Sequence, residues 1–82
     1  MDYVLSDHAQ LRMIRRKISK QLIADALEHP TKMSYDVRGR VLIVHRYQRG
    51  NKIRLLLVAG VYQNTTFRVI TVIDTSKVKK YL

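Results

Sequence analysis

A change in the spacing of apolar residues at Pro30 most constrains the fold of this chain. Before Pro30, apolar residues recur every three or four positions, which is typical of amphipathic helices. After Pro30, four runs are rich in Val, Ile, Leu, Thr and Tyr, which is typical of β-strands. These runs cover residues 31–36, 40–48, 53–62 and 67–74. The pattern predicts helices in the first part of the chain and a sheet in the second.

Two helices are predicted before the sheet. Ser6 or Asp7 can cap the first helix, which runs to about residue 17, and Asp7 with Gln10 approximates a capping box. Ser19 can cap the second helix, and Pro30 ends that helix at the preceding residue. Residues 3–5 form a short apolar segment before the first helix, which we interpret as an N-terminal strand.

The turns between the predicted strands are short, and they contain Gly39, Gly50 and Asn64. Short turns favour antiparallel pairing of consecutive strands, so the simplest sheet is a four-stranded meander. We therefore expect an α+β fold with a short N-terminal strand, two helices packed on a four-stranded antiparallel meander sheet, and a basic C-terminal tail at residues 76–82. With 82 residues, the chain should form one domain spanning 1–82.

Both faces of this sheet should be apolar near its centre, because residues 41–44, 55–59 and 69–73 are almost entirely apolar at consecutive positions. Two short helices can cover only one face. The other face is then left for the tail, a second copy or a different protein, unless the first strand and the tail close the core within the monomer.

The charge is strongly basic, at +10 formally, and residues 37–82 contain ten Lys or Arg residues against one acid, Asp74. Such a surface attracts polyanions, and RNA is the leading partner class. No apolar run approaches the roughly 20 residues needed to span a bilayer, so we expect a cytoplasmic protein that does not bind membranes. The chain has no Cys, its histidines lack metal-ligand spacing, and it has no Gly-rich phosphate loop. No cofactor or metal is expected.

His8, Arg12 and Arg16 follow one another at steps of four residues, so they share one side of the first helix, and Arg15 lies close by. Metal-free RNA cleavage needs a base for the 2′-hydroxyl and cations for the phosphorane. We interpret His8 as the candidate base and the two arginines as phosphate-binding groups. Alternatively, His8 caps or packs at the helix start, and the arginines form a solvated face or pair with Asp7 and a sheet carboxylate.

The chain also resembles a known family. The similarity lies in a run of small and charged residues at 6–19, in Ala26, Leu27 and Pro30, in the turn at 38–40 and in the ending at 71–77. Together these segments resemble the domain-of-unknown-function 4258 family across essentially the whole chain. The chain departs from that pattern at Ile73 and Asp74, where family members often carry an aromatic and a basic residue.

The resemblance implies a fold and a function, because the family is grouped with small bacterial toxins of the RelE and BrnT type. It implies a RelE-like fold, an endoribonuclease toxin acting on free or ribosome-bound RNA, and an acidic antitoxin as protein partner. Tyr81 then joins the catalytic candidates, and the RNA-binding candidates are Arg15, Arg46, Arg54, Arg68, Lys77 and Lys80. Alternatively, each of the sheet residues is an ordinary exposed residue at the edge or rim of the sheet. The alternative function for the protein is a non-catalytic RNA-binding or regulatory module, which works through an acidic partner or through self-association on an apolar sheet face.

Overall fold

Five strands and three helices make up residues 2–82, the part of the chain that the computed structural model describes. The elements follow in the order β1 (Asp2–Leu5), α1 (Asp7–Arg16), α2 (Lys20–Glu28), β2 (Lys32–Tyr35), β3 (Val41–Arg49), β4 (Lys52–Gln63), β5 (Thr66–Thr75) and α3 (Val78–Tyr81). The longest helix in residues 2–82, α1, has ten residues, whereas a helix that spans a bilayer needs about 20, so none of the three helices could do so.

The sheet is mixed and has the strand order β1-β5-β4-β3-β2. Strands β2 to β5 pair antiparallel with their neighbours in sequence, whereas β1 pairs in parallel with β5, with Tyr3 beside Phe67. The predicted fold of two helices on a four-stranded antiparallel meander is therefore wrong. A fifth strand joins the sheet because β1 satisfies the backbone groups on the outer edge of β5, and the long connection through two helices and three strands permits the parallel direction.

Serine residues begin both long helices. Ser6 Oγ accepts a hydrogen bond from the Ala9 N–H at 3.1 Å, and Ser19 Oγ accepts one from the Leu22 N–H at 3.1 Å. The capping residue of α1 is thus Ser6, and the capping box expected between Asp7 and Gln10 does not form. Helix α1 ends at Arg16, because the following Lys17 takes the left-handed conformation at φ 56°, and the chain then turns into α2.

The two faces of the sheet carry separate hydrophobic clusters. The main core lies between the sheet and the layer of α1 and α2, and it contains Ala9, Met13, Ile18, Ile23, Ala26, Leu27, Val41, Ile43, Leu56, Val58, Phe67, Val69 and Val72. The smaller cluster lies on the opposite face and contains Val44, Leu55 and Leu57. We call this opposite side the open face. The predicted basic tail forms α3 there, where Val78 and Tyr81 pack on the smaller cluster.

An irregularity in the ladder between β4 and β5 shapes the end of the sheet near α1. The pairing register shifts between Ala59 and Gly60, so that Ala59 faces Thr71 and Gly60 faces Val69. A Cβ atom at Gly60 would lie 2.2 Å from the Arg68 carbonyl oxygen, so no other residue fits there without moving β5. This shift leaves Ile70 next to the residue that caps α1.

Candidate nucleic-acid interface

The start of α1 is attached to β5 by the residue that caps the helix. The Ser6 N–H donates to the Val69 carbonyl oxygen at 2.9 Å, and Ser6 Oγ donates to the Ile70 carbonyl oxygen at 2.8 Å. The same hydroxyl oxygen accepts from Ala9. Because these bonds fix the first turn of α1 on the sheet, Asp7 and His8 are placed beside the first half of β5.

A groove of about 510 Å³ opens at this point. It is lined by Ser6, Asp7, His8, Val61, Gln63, Arg68 and Ile70. His8 and Arg68 are both exposed, and neither side chain hydrogen-bonds to another part of residues 2–82. A free imidazole can accept a proton, and a free guanidinium can hold a phosphate, so the groove combines a candidate base with a candidate anion site.

The other cations of α1 lie outside this groove. Arg15 and Arg16 are exposed, while Arg12 is partly buried and its Nε atom is fully buried without a hydrogen-bond partner in the described chain. Within residues 2–82 neither Arg12 nor Arg16 is in ion-pair contact with a carboxylate. The pairing with Asp7 or a sheet carboxylate that we considered from the sequence therefore does not occur, and α1 presents a row of uncompensated cations.

Arg54 lies in a different environment, because it pairs with Asp74 on the helix-covered face of the sheet. Its Nε donates to Oδ1 of Asp74 at 2.9 Å, and its Nη2 donates to Oδ2 at 3.1 Å. The Tyr47 hydroxyl also donates to Oδ1, at 2.6 Å, and Arg49 Nη1 lies 3.8 Å from Oδ2. The Asp74 side chain is only 7% exposed. We call Tyr47, Arg49, Arg54 and Asp74 the Asp74 cluster.

Two opposing effects act on the Asp74 carboxyl. Burial alone would raise the pKa of Asp74, but the hydrogen bonds from Arg54 and Tyr47 outweigh it and hold the pKa below the usual 3.8. Burial, followed by the hydrogen bond to Asp74, raises the pKa of Tyr47 above the usual 10.0. Asp74 is thus ionised and Tyr47 is neutral at pH 7, and the cluster works as a structural ion pair that occupies two of the arginines.

The open face carries most of the remaining predicted residues. Arg46 lies two residues after Val44 of the smaller cluster on β3, so it is on the open face, and it is exposed. Tyr81 packs on that cluster with Val78, and Lys80 Nζ lies 5.6 Å from the centre of the Tyr81 ring. Lys77, immediately before α3, is also exposed. None of these four residues lines the groove that contains His8, so the structure does not bring Tyr81 together with the candidate base.

A comparison with family models decides the family. The model described as Domain of unknown function (DUF4258) matches residues 5–74. The chain belongs to this family. Comparisons with curated proteins and with solved structures found no significant match. The matched region includes the groove and the whole Asp74 cluster, whereas α3 lies beyond it.

Sequence reasoning did not find the Asp74 cluster, although it singled out Arg54 as a phosphate-binding candidate. Tyr47 faces Arg54 across β3 and β4, and Asp74 faces Leu56 across β4 and β5. Only the register of three strands brings these side chains together. Period-two alternation within each strand gives the face of a residue but not its neighbours, so the sequence offers no sufficient signal for the cluster.

Proposed function

We propose that this protein binds RNA through the cations of α1 and of the His8 groove. The observation that supports this proposal best is that most of the Lys and Arg side chains have no carboxylate in ion-pair contact within residues 2–82. Of the sixteen Lys and Arg residues, three have a carboxylate in ion-pair contact within residues 2–82, namely Arg40, Arg49 and Arg54. In that part of the chain, the other thirteen have no carboxylate in ion-pair contact. So much unpaired positive charge destabilises a compact domain through self-repulsion, and a bound polyanion would relieve that repulsion.

The basic residues of α1 would orient a bound RNA strand along the helix. His8, Arg12 and Arg16 rise along α1, which at ten residues is about 15 Å long, and its first turn borders the groove that contains Arg68. A single strand of RNA lying along α1 would place successive phosphates on these cations and reach the groove with one phosphodiester. Counterions released from the phosphates would supply most of the binding free energy.

Binding is tested by the salt dependence of affinity for a short single-stranded RNA. The double variant Arg12→Ala with Arg16→Ala should weaken binding and reduce the slope of log K against log salt by about 1.4, since each lost contact with single-stranded RNA contributes about 0.7. The matched control is Arg38→Ala with Lys52→Ala, which removes the same charge from two exposed positions, one in the turn before β3 and one at the start of β4. Equal losses in the two double variants would show a diffuse attraction and not a site on α1.

We propose cleavage of RNA as a second function, favoured by the free side chain of His8 beside Arg68. His8 would take the proton of a 2′-hydroxyl, the 2′-oxygen would attack the phosphorus, and the 5′-oxygen would leave and take a proton from water. The products would be a 2′,3′-cyclic phosphate and a 5′-hydroxyl. Arg68 would balance the negative charge on the phosphorane. This reaction would make the protein a ribonuclease toxin of the RelE and BrnT type, acting in the cytoplasm and held by an acidic antitoxin, as the family resemblance implies.

Cleavage is tested with end-labelled RNA in EDTA, with and without ribosomes, resolved at single-nucleotide resolution. Wild type should leave cyclic phosphate ends, His8→Ala should bind RNA without cutting it, and His29→Ala should cut normally. His29 is a suitable control because it is also exposed and follows α2 instead of beginning α1. If RNA is bound by all three proteins and cut by none, the protein is a binding module and the toxin function is wrong.

A further inference from the structure

Strand β2 is an unprotected edge of the sheet. It is the last strand in the order β1-β5-β4-β3-β2, and all four of its residues, Lys32–Tyr35, are exposed. Two of these residues have large apolar side chains, Met33 at 43% exposure and Tyr35 at 64%. An exposed edge strand with apolar side chains is a template for pairing with another strand.

The backbone of β2 offers hydrogen-bonding groups at defined positions. In an antiparallel pair, residues alternate between those bonded to the neighbouring strand and those directed away from it. The Asp36 N–H donates to the Arg40 carbonyl oxygen at 3.0 Å, which assigns Asp36, Ser34 and Lys32 to the set that bonds to β3. The N–H and C=O groups of Met33 and Tyr35 therefore point to the free edge.

A second β2 strand fits this edge in one register particularly well. If Met33 faces Tyr35 of the partner subunit, and the reverse, each pair forms two backbone hydrogen bonds between groups that otherwise meet only water. Ser34 then faces Ser34 of the partner subunit on the two-fold axis. In the same register Lys32 faces Asp36 of the partner subunit, so opposite charges meet at both ends of the paired segment.

Sliding one strand by two residues makes the pairing worse in either direction. One shift places Lys32 opposite Arg38 of the partner subunit, where like charges repel. The other shift places Tyr35 opposite Thr31, whose N–H is already used by the Val44 carbonyl oxygen at 2.8 Å within the same chain. The register centred on Ser34 is therefore favoured by both charge and backbone bonding.

The apolar side chains support the same register. Met33 and Tyr35 lie on one side of β2 and touch each other, with the Tyr35 hydroxyl 4.0 Å from the Met33 sulfur. In the paired strands they would meet Tyr35 and Met33 of the partner subunit and form one cluster of four side chains. That cluster would withdraw from water the most exposed apolar surface of β2.

We propose that the protein forms a two-fold symmetric dimer in which β2 pairs antiparallel with β2 of a second copy. Facing residues lie on the same face of both sheets, so the two five-stranded sheets continue into one, with both α1 and α2 layers on one side and both α3 helices on the other. This inference is independent of RNA binding, because neither His8 nor the cations of α1 belong to the interface.

A cysteine at the two-fold axis tests the dimer, and the natural absence of Cys in the chain makes the test clean. Facing residues of a non-hydrogen-bonded antiparallel pair have Cα atoms about 4.5 Å apart, which lies within the range for a disulfide. Ser34→Cys should therefore give a disulfide-linked dimer under mild oxidation. Lys32→Cys is the matched control, because it is equally exposed on the same strand but its symmetry mate would be four residues away, about 14 Å.

A measurement of mass in solution completes the test. Wild type should be a dimer by sedimentation equilibrium, and Met33→Lys with Tyr35→Lys should be a folded monomer, because four lysines would meet at the interface. Val4→Lys, on the opposite edge strand β1, should stay dimeric. A wild-type protein that is monomeric at its highest soluble concentration would overturn the proposal. So would equal cross-linking of the two cysteine variants, or a double-lysine variant that is still dimeric.

Discussion

The two faces of the sheet differ in whether their arginines are paired with a carboxylate. On the helix-covered face, Arg49 and Arg54 are held by the buried carboxylate of Asp74. On the open face, Arg46 and Arg68 are exposed and have no carboxylate in ion-pair contact within the described residues. The strand positions of these residues look alike in the sequence. Their roles differ because Asp74 lies on the helix-covered face and can pair only with the arginines there.

The net charge of +10 is therefore not spread evenly over the molecule. The Asp74 cluster holds two cations in fixed positions, where they stabilise the junction of β3, β4 and β5. Arg49 also donates to the Lys17 carbonyl oxygen at 3.3 Å and so links that junction to the end of α1. Within residues 2–82, the cations of the groove and of the open face make no ion pair of this kind.

Removal of the Asp74 charge should have the largest effect. Asp74→Asn leaves Tyr47 and Arg54 without their charged acceptor, and we expect the free energy of unfolding in urea to fall by about 2 kcal/mol, as for the loss of a buried charged hydrogen-bonding group. Glu28→Gln is the control, because it removes the same charge from an exposed position and should change stability by less than about 0.5 kcal/mol. Equal losses in the two variants would mean that the Asp74 cluster does not stabilise the fold.

The same contribution should disappear in acid. Because the folded-state pKa of Asp74 lies below its usual value of 3.8, the unfolded chain binds the proton more readily. The stabilisation is therefore fully present above pH 3.8 and is lost as the pH falls through the folded-state pKa. The gap in unfolding free energy between wild type and Asp74→Asn, measured in urea at each pH, should be constant near neutrality and shrink towards pH 2. A gap that persists unchanged at pH 2 would contradict this assignment.

Local sequence signals explain part of the fold. Ser6 and Ser19 begin helices because a hydroxyl can satisfy an orphan N–H, and Pro30 prevents α2 from continuing. The strand segments lie close to the runs of β-branched residues. Each of these signals acts within a few residues, which is why a single sequence reveals it.

Features of the fold that depend on residues distant in the sequence could not be predicted from such local signals. The four residues of β1 give no indication that they pair with β5, and α3 is only four residues long and has no side-chain cap. For the site, family membership and the location of His8 at the start of a helix could be inferred, whereas the neighbourhood of His8 and Arg68 depends on the register shift at Gly60. The Asp74 cluster likewise depends on the register of three strands.

A smaller effect is expected where α3 covers the open face. Tyr81→Ala should lower the free energy of unfolding by about 1 kcal/mol, because Tyr81 is only partly buried on Val44, Leu55 and Leu57. Tyr81→Phe should match wild type both in stability and in any RNA cleavage, since packing needs the ring and not the hydroxyl. If Tyr81→Phe keeps its stability but loses cleavage, the hydroxyl takes part in the reaction and the resemblance to RelE toxins extends to this residue.

The smallest expected effect is a change in the salt dependence of RNA binding, which should be larger for an arginine without an ion pair than for one in the Asp74 cluster. Arg68→Ala should weaken RNA binding only a few-fold, but it should lower the slope of log K against log salt by about 0.7, because one phosphate contact is lost. Arg54→Ala removes the same charge from the Asp74 cluster, and its slope should change by less than half as much even though the protein unfolds more easily. The reverse result, a larger slope change for Arg54, would mean that RNA displaces Asp74 and binds to the helix-covered face. The difference in charge compensation between the two faces would then describe only the free protein.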